Sequence, residues 1–445
     1  MIALAKQRES GEVSVQSPLW AVAAAYLLRM SLLWLIHRDH DAYQSLFFPV
    51  SNETWNVASS LAQGNGFSAP LPGMHGPTAW LAPGYPAMLA LALKLSHMDA
   101  YAARIIGLAF NCTASALTCL PIYAIGKKVF NRKIGLASCW LWVFLPMSVL
   151  FPLEWLWDTS FSAFLLAVLV CMTLKLRRES SAWRWAGYGL LWAVAVLLNP
   201  AIGIIFPFLL GWLAIERRQS FLTWSPLAFA VLTFCLGVLP WTVRNYFAFG
   251  QLVPIKSTFG LEFWLGNNPE VKRNWSPGSH PNNDSEQMRQ LQQFGELSYM
   301  KAKQRQAVLF IEAHAATFAK FSLGRLADTW TGNADVPWDR FVFMLHAGEA
   351  YLIFSSAFSV LALVGIVLSC RLRGSEAAPL WIAVLVFPAT YYITHTGLRY
   401  RHPIDPMLTV LATYAVACAV SAVSNRCQAR RTSRSVSSPD SLVAN

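Results

Sequence analysis

Long apolar runs dominate this chain and leave few folds open to it. A helix needs roughly 20 mostly apolar residues to cross a bilayer. Runs of that kind lie at 18–36, 104–126, 134–152, 159–175, 185–198, 200–215, 224–242, 349–370, 378–394 and 404–424. The segment 80–97 (WLAPGYPAMLALALKLSH) is shorter and carries Pro83 and Pro86 near its start. In hydrocarbon every backbone amide must find its partner within the protein, and a helix satisfies that need segment by segment. The expected fold is an all-α polytopic membrane protein with about ten or eleven spanning helices. Composition agrees: 55% of the 445 residues are hydrophobic and 13% are charged, against about a quarter charged in soluble domains. No small-residue cleavage site follows 18–36, so this run reads as a first span and not as a removable signal.

The net charge of +12 is topological and not the mark of a nucleic-acid partner. Basic residues cluster in short connections: Lys127, Lys128, Arg132 and Lys133, then Lys175, Arg177 and Arg178, then Arg217 and Arg218, then Arg371 and Arg373. The tail adds Arg426, Arg430, Arg431 and Arg434. Lys and Arg concentrate on the cytoplasmic side of membrane proteins. These connections are therefore read as inside, and 37–79, 98–103, 153–158, 243–348 and 395–403 as outside. One parity conflict stands. A full crossing by 80–97 would place Lys127 and Lys128 outside, so either that segment is a re-entrant half-span or the charge rule is broken once.

The chain divides into an N-terminal transmembrane module (1–242, with a first periplasmic loop at 37–79), a periplasmic region (243–348), C-terminal spans (349–425) and a Ser/Arg-rich tail (426–445). The tail has the composition of a disordered cytoplasmic segment. Within 243–348, polar turn-rich sequence gives way to a stripe at near-helical spacing over about 290–325, interrupted at Gln304. Seven of the eight cysteines lie in or beside apolar segments and Cys427 lies in the tail, so neither a disulfide nor a zinc site is expected. No internal repeat is visible.

Acidic groups gather at the outer ends of the spans. Asp39, Asp41 and Glu53 fall in the first outer loop, and Glu154 and Asp158 in FPLEWLWDTSFS. Carboxylates at a membrane boundary are costly to bury and are functional candidates. Trp155 and Trp157 also suit interfacial anchoring, and Asp158 suits a helix N-cap; cap and site are compatible roles. Basic residues reach the outer face against the charge trend: Arg244 in LPWTVRNY, Lys256 soon after, and Arg399 and Arg401 in LRYRHPIDP. A guanidinium is a permanently charged, bidentate clamp for phosphate. Headgroup anchoring is the plainer alternative, and the phosphate reading is favoured for Arg399 and Arg401 as a pair.

The stretch ETWNVASSLAQGNGFSAPL, followed by GPTAWLAPGYPAML, resembles the first outer loop and second span of GT-C glycosyltransferases. It is most similar to glycosyltransferase family 39, which includes protein O-mannosyltransferases and lipid A aminoarabinose transferases. WDTSFSAFLLAVL resembles that group's carboxylate at the mouth of a central span. LPWTVRNYFAFGQLVPIKSTFGLEFWLGNNPE and RYRHPIDPMLTVLA resemble segments of uncharacterised bacterial members. The resemblance implies a GT-C bundle in a bacterial inner membrane. It implies transfer of a sugar from a polyprenyl-phosphate donor to a lipid, glycan or protein acceptor of the cell envelope, on the periplasmic face. Such a reaction needs a base for the acceptor proton and cations for the leaving phosphate. On this reading Glu53 is the base and Asp158 orients the acceptor or helps hold a divalent metal, whose use is left open. Arg399, Arg401, Arg244 and Lys256 bind substrate. The chain departs from the family in one place: Val50 stands where the family usually has Asp, and Glu53 is the nearest acid, one turn closer.

Two other classes compete. A transporter or flippase of lipid-linked sugars would show inverted repeats and polar groups at mid-membrane, whereas here the polar groups gather at the outer face. A non-catalytic envelope-assembly protein stays in contention through Val50.

Overall fold

The computed structural model of the chain describes residues 17–38, 53–217, 224–332 and 348–436. Asp39, Asp41 and Val50 lie outside the described residues. The architecture is all-α, and among the described residues the only β pairing is an isolated bridge between Ser68 and Pro77.

By length and composition, six helices among the described residues can cross a membrane, and Arg132–Phe144 with Pro146–Glu154, bent by 45°, makes a seventh. The bend falls at Pro146, whose ring cannot continue the preceding helix. The stretch Glu349–Ile393 makes two passes, because it reverses at Gly374, where φ is +55°. One arm packs Tyr351 with Leu398, and the other returns its Ile393 carbonyl to Asn267 at the same end. The shorter apolar helices Ala182–Leu198 and Pro200–Glu216 bring the passes to ten. These two runs are separated by Asn199, whose side chain caps Ala201, and by Pro200 at the first position of the next helix.

The segment expected at 80–97 forms only Gly84–Leu95, 12 residues, or about 18 Å. It lies beside the outer part of Ala100–Val129. Tyr85 at its start bonds to Asn111, Leu89 meets Gly107, and a short connection capped by Asp99 leads back to Ala100. Tyr101 in turn bonds to the carbonyl of His37, at the far end of the first span. Both ends of Gly84–Leu95 therefore sit on one side, as a half-span, and the charge rule is kept at Lys127 and Lys128. Its basic clusters converge on the opposite end: Arg177 pairs with Glu216 (2.5 Å) and Glu376 (3.6 Å), and Arg217 donates to the Leu176 carbonyl.

Arg29, fully buried in the first span, staples this bundle by donating to Ser115, Ser148 and the carbonyls of Ala25 and Trp142. A charge at that depth persists only when such partners meet every donor.

Three stretches differ from the sequence reading. Trp224–Phe249 extends the expected 224–242 span by two turns, carrying Arg244 into a helix. The expected 290–325 helix is three: Ser285–Phe294, Glu296–Ala313 and Ala315–Thr331. The first break falls at Gly295 (φ +76°) and the second at His314, and the chain stays helical through Gln304. The final helix, Asp405–Val436, runs further than the expected span, into the tail read as disordered.

Candidate functional site

A cavity of about 640 Å³ opens where the spans end opposite the basic connections. Its wall is assembled from six regions: Glu53 at the start of Glu53–Ala62, Tyr85 of the half-span, Trp157 and Asp158, Asn199 and Pro200, Lys256 and Glu262, and the turn from Thr390 to Pro403. Four of the six residues singled out from sequence meet here: Glu53, Asp158, Lys256 and Arg399. Glu154 ends the preceding helix and does not line the cavity.

Asp158 occupies the N-cap position of Thr159–Leu176, yet its side chain makes no capping bond. It accepts instead from Ser162 Oγ (2.8 Å), which also receives Asn199 Nδ2 (3.2 Å). The carboxylate is thus held by neutral donors beside the cavity. Glu53 faces His280 Nε2 at 3.5 Å. Arg399 is held by aromatic rings: its guanidinium lies 4.0 Å over Trp157 and 4.5 Å over Tyr400, and it donates to the Tyr400 hydroxyl (2.5 Å). Among the described residues neither Arg399 nor Lys256 forms an ion pair with a carboxylate.

Arg401 and Arg244 do not reach the cavity. Arg401, 1% exposed, bonds to Asp405 (3.1 Å), Ser359 and the Thr329 carbonyl. Next to it His402 shares Asp405 at 2.9 Å. The two arginines of LRYRHPIDP are separated because a short helix, Leu398–Arg401, turns them to different sides. Arg399 and Arg401, expected to act as a pair, are therefore not brought together at the cavity. Arg244 grips the first outer loop, donating to the carbonyls of Thr78 (2.7 Å) and Phe67 (2.8 Å). Glu296 holds the same strip from the other side through Thr78 (2.5 Å), Ala79 N (3.0 Å) and Ser257 (2.6 Å). Burial raises the Glu296 carboxyl above its usual range despite those donors.

The structure adds a pair that sequence reasoning passed over. Glu262 Oε2 lies 2.7 Å from His395 Nε2, and both line the cavity. Burial pushes the Glu262 carboxyl up, but the hydrogen bond and charge of His395, with Lys256 and His280 nearby, bring it down to about 2. A signal was present in sequence: Glu262 is the one acid of the apolar stretch FGLEFWLG, and His395 interrupts the end of an apolar run. Among the described residues no three His, Cys, Asp or Glu side chains converge as metal ligands. Glu53–His280 and Glu262–His395 offer two donors apiece, fewer than a protein-held ion usually takes.

Residues 79–243, which supply the half-span, Asp158 and Asn199, match the family described as dolichyl-phosphate-mannose-protein mannosyltransferase. The whole bundle superposes on solved archaeal enzymes. The Archaeoglobus fulgidus oligosaccharyltransferase in complex with Zn and sulfate matches with a TM-score of 0.52 and 15% identity, covering 91% of this chain and 50% of that one. The A. fulgidus oligosaccharyltransferase AglB, bound to an inhibitory peptide and a dolichol-phosphate, matches with a TM-score of 0.54 and 14% identity, covering 96% and 52%. This is the GT-C glycosyltransferase fold. The chain spans about half the length of the oligosaccharyltransferases it matches. No curated protein matches the chain significantly. The GT-C assignment agrees with the resemblance drawn from the segments around Glu53, Asp158 and Arg399.

Proposed function

We propose that this protein transfers a sugar from a polyprenyl-phosphate carrier to a lipid, glycan or protein acceptor of the cell envelope, at the membrane face opposite its basic connections. The observation that carries the reading is the pair of cavity cations, Arg399 and Lys256, which form no ion pair among the described residues and share one chamber with Glu53 and Asp158. Unpaired cations in a partly desolvated cavity favour a phosphate, and they stabilise it most as the sugar–phosphate bond breaks and charge develops on oxygen. Apolar wall residues such as Leu81, Leu198 and Ile204 give the first isoprenoid units a dry surface. On this reading Glu53 accepts the acceptor's proton, and Asp158, which accepts from Ser162, orients the acceptor. The dolichol-phosphate bound to the archaeal AglB supports a donor of this class.

The test is binding by the detergent-purified protein. Undecaprenyl phosphate should bind more tightly than undecaprenol, and Arg399→Ala with Lys256→Ala should erase the difference. Equal affinity of the parent protein for the two lipids would overturn the reading. Removal of the gene should then cause a sugar-linked polyprenyl phosphate to accumulate, which would identify the sugar.

A further inference from the structure

Arg399 owes its place to a chain of contacts that begins 137 residues earlier in sequence, at Glu262. The helix Phe259–Gly266 is seated on the end of the span before the Arg399 turn. A Cβ on Gly266 would lie 1.8 Å from the Thr394 carbonyl, so only glycine permits this approach. Asn267 donates to the Ile393 carbonyl (2.8 Å), and Asn274 pairs twice with the Thr396 backbone (2.8 and 2.9 Å). From this seam Glu262 reaches His395 (2.7 Å). The His395 ring meets the Tyr400 ring edge-on at 5.1 Å, and Tyr391 stacks on Tyr400 at 5.0 Å. Tyr400 in turn accepts from Arg399 and lies under its guanidinium.

We propose that Glu262 and His395 form a positioning pair for Arg399, holding Tyr400 so that the guanidinium presents its free N–H edge to a polyprenyl phosphate. The proposal rests on the phosphate reading of the cavity. A long arginine side chain loses rotamer freedom when it grips an anion, and a wall that fixes it beforehand returns that loss as affinity. Cation–π contact with Trp157 and Tyr400 restrains the plane of the group, and the hydroxyl of Tyr400 restrains its rotation in that plane. Tyr400 itself is set between Tyr391 and the His395 ring, which Glu262 holds by a hydrogen bond and Trp275 packs against at 5.5 Å. The pair does not touch the phosphate; it acts through Arg399.

The experiment measures affinity for undecaprenyl phosphate and, as a phosphate-free probe, undecaprenol. Glu262→Gln, His395→Ala and Tyr400→Phe should each weaken undecaprenyl phosphate by about tenfold, in the range of couplings between contacting residues, and leave undecaprenol unchanged. Combined with Arg399→Ala, none should weaken it beyond Arg399→Ala alone. Losses that add to that of Arg399→Ala, or a fall of the same size in undecaprenol affinity, would show a merely structural seam and overturn the proposal. Should His395→Ala fail to fold, the near-isosteric Glu262→Gln and Tyr400→Phe still decide it. An Arg399→Ala protein that binds undecaprenyl phosphate as tightly as the parent would overturn the phosphate reading itself, an outcome distinct from additive losses.

Discussion

The guanidinium of Arg399 lies 4.0 Å over the ring of Trp157, which is itself stacked on Trp155 at 4.4 Å and 9°. An aromatic face attracts an arginine's charge without neutralising it and leaves the in-plane N–H donors largely unused. A carboxylate partner would take both. The indoles thus hold a cation at the cavity wall and leave its chemistry available, which Lys256 supplements from the opposite segment.

The first prediction follows from that geometry. Arg399→Lys keeps the charge but loses the flat fork and its stacking. Binding of undecaprenyl phosphate should fall by about ten- to a hundredfold, the worth of one or more charge-assisted hydrogen bonds. Calorimetric titration in detergent checks it, and unchanged affinity would remove Arg399 from phosphate recognition.

Arg401 should behave differently. Its pairing with Asp405 is fully buried, with His402 on the same carboxylate. Asp405→Asn leaves a charge there without its counter-ion and should destabilise the protein by about 3–5 kcal/mol. Arg401→Lys should lower the thermal midpoint too, while the folded fraction binds undecaprenyl phosphate normally. A stable Arg401→Lys protein with weakened phosphate binding would reverse this assignment.

The acids of the cavity carry the third prediction. Glu53→Gln removes a proton acceptor with little change of shape, and transfer should fall by about two to four orders of magnitude. Asp158→Asn should also impair transfer. Because the Asp158 side chain does not cap its helix, stability should change by about 1 kcal/mol or less. A Glu53→Gln protein transferring at the parent rate would move the base to another acid, with Asp158 and Glu262 next in the same cavity.

Glu262 gives a prediction in pH. Its folded-state carboxyl lies near 2, below the ordinary 4.5. A carboxylate depressed on folding stabilises the protein above its unfolded value and loses that contribution as pH falls through the folded one. Glu262→Gln should therefore melt below the parent at pH 7, and the gap should close as pH drops from 4.5 toward 2. Melting curves at stepped pH test the sign, and a gap that widens in acid would contradict it.

Topology is open to a direct check. A cysteine placed at the exposed Asn283 should react with an impermeant thiol reagent in cells whose outer membrane alone is permeabilised. Reaction only after inner-membrane lysis would invert the orientation and put the cavity on the wrong side for the proposed donor.

Much of this molecule was readable from local chemistry alone. The hydropathy of each run determines that it is a helix in lipid, since backbone satisfaction there depends on nearest neighbours along the chain. The positions of Lys127, Arg177, Arg217 and Arg373 give the expected sidedness, because the charge of a short connection answers to the membrane whatever partner it also finds. Glu53, Asp158, Lys256 and Arg399 were likewise legible as acids and bases at outer ends of spans. What tertiary structure decided is which of them meet. Arg399 and Arg401 are two residues apart and look alike in sequence, yet the turn Leu398–Arg401 sends one to the cavity and the other to Asp405. Tyr101 reaching His37 decided that Gly84–Leu95 does not cross, which its apolar composition could not. Glu262 and His395 became a pair only when Gly266 let their segments close on each other. Hydropathy and charge act on each segment separately, whereas a site depends on distances between segments that only packing sets.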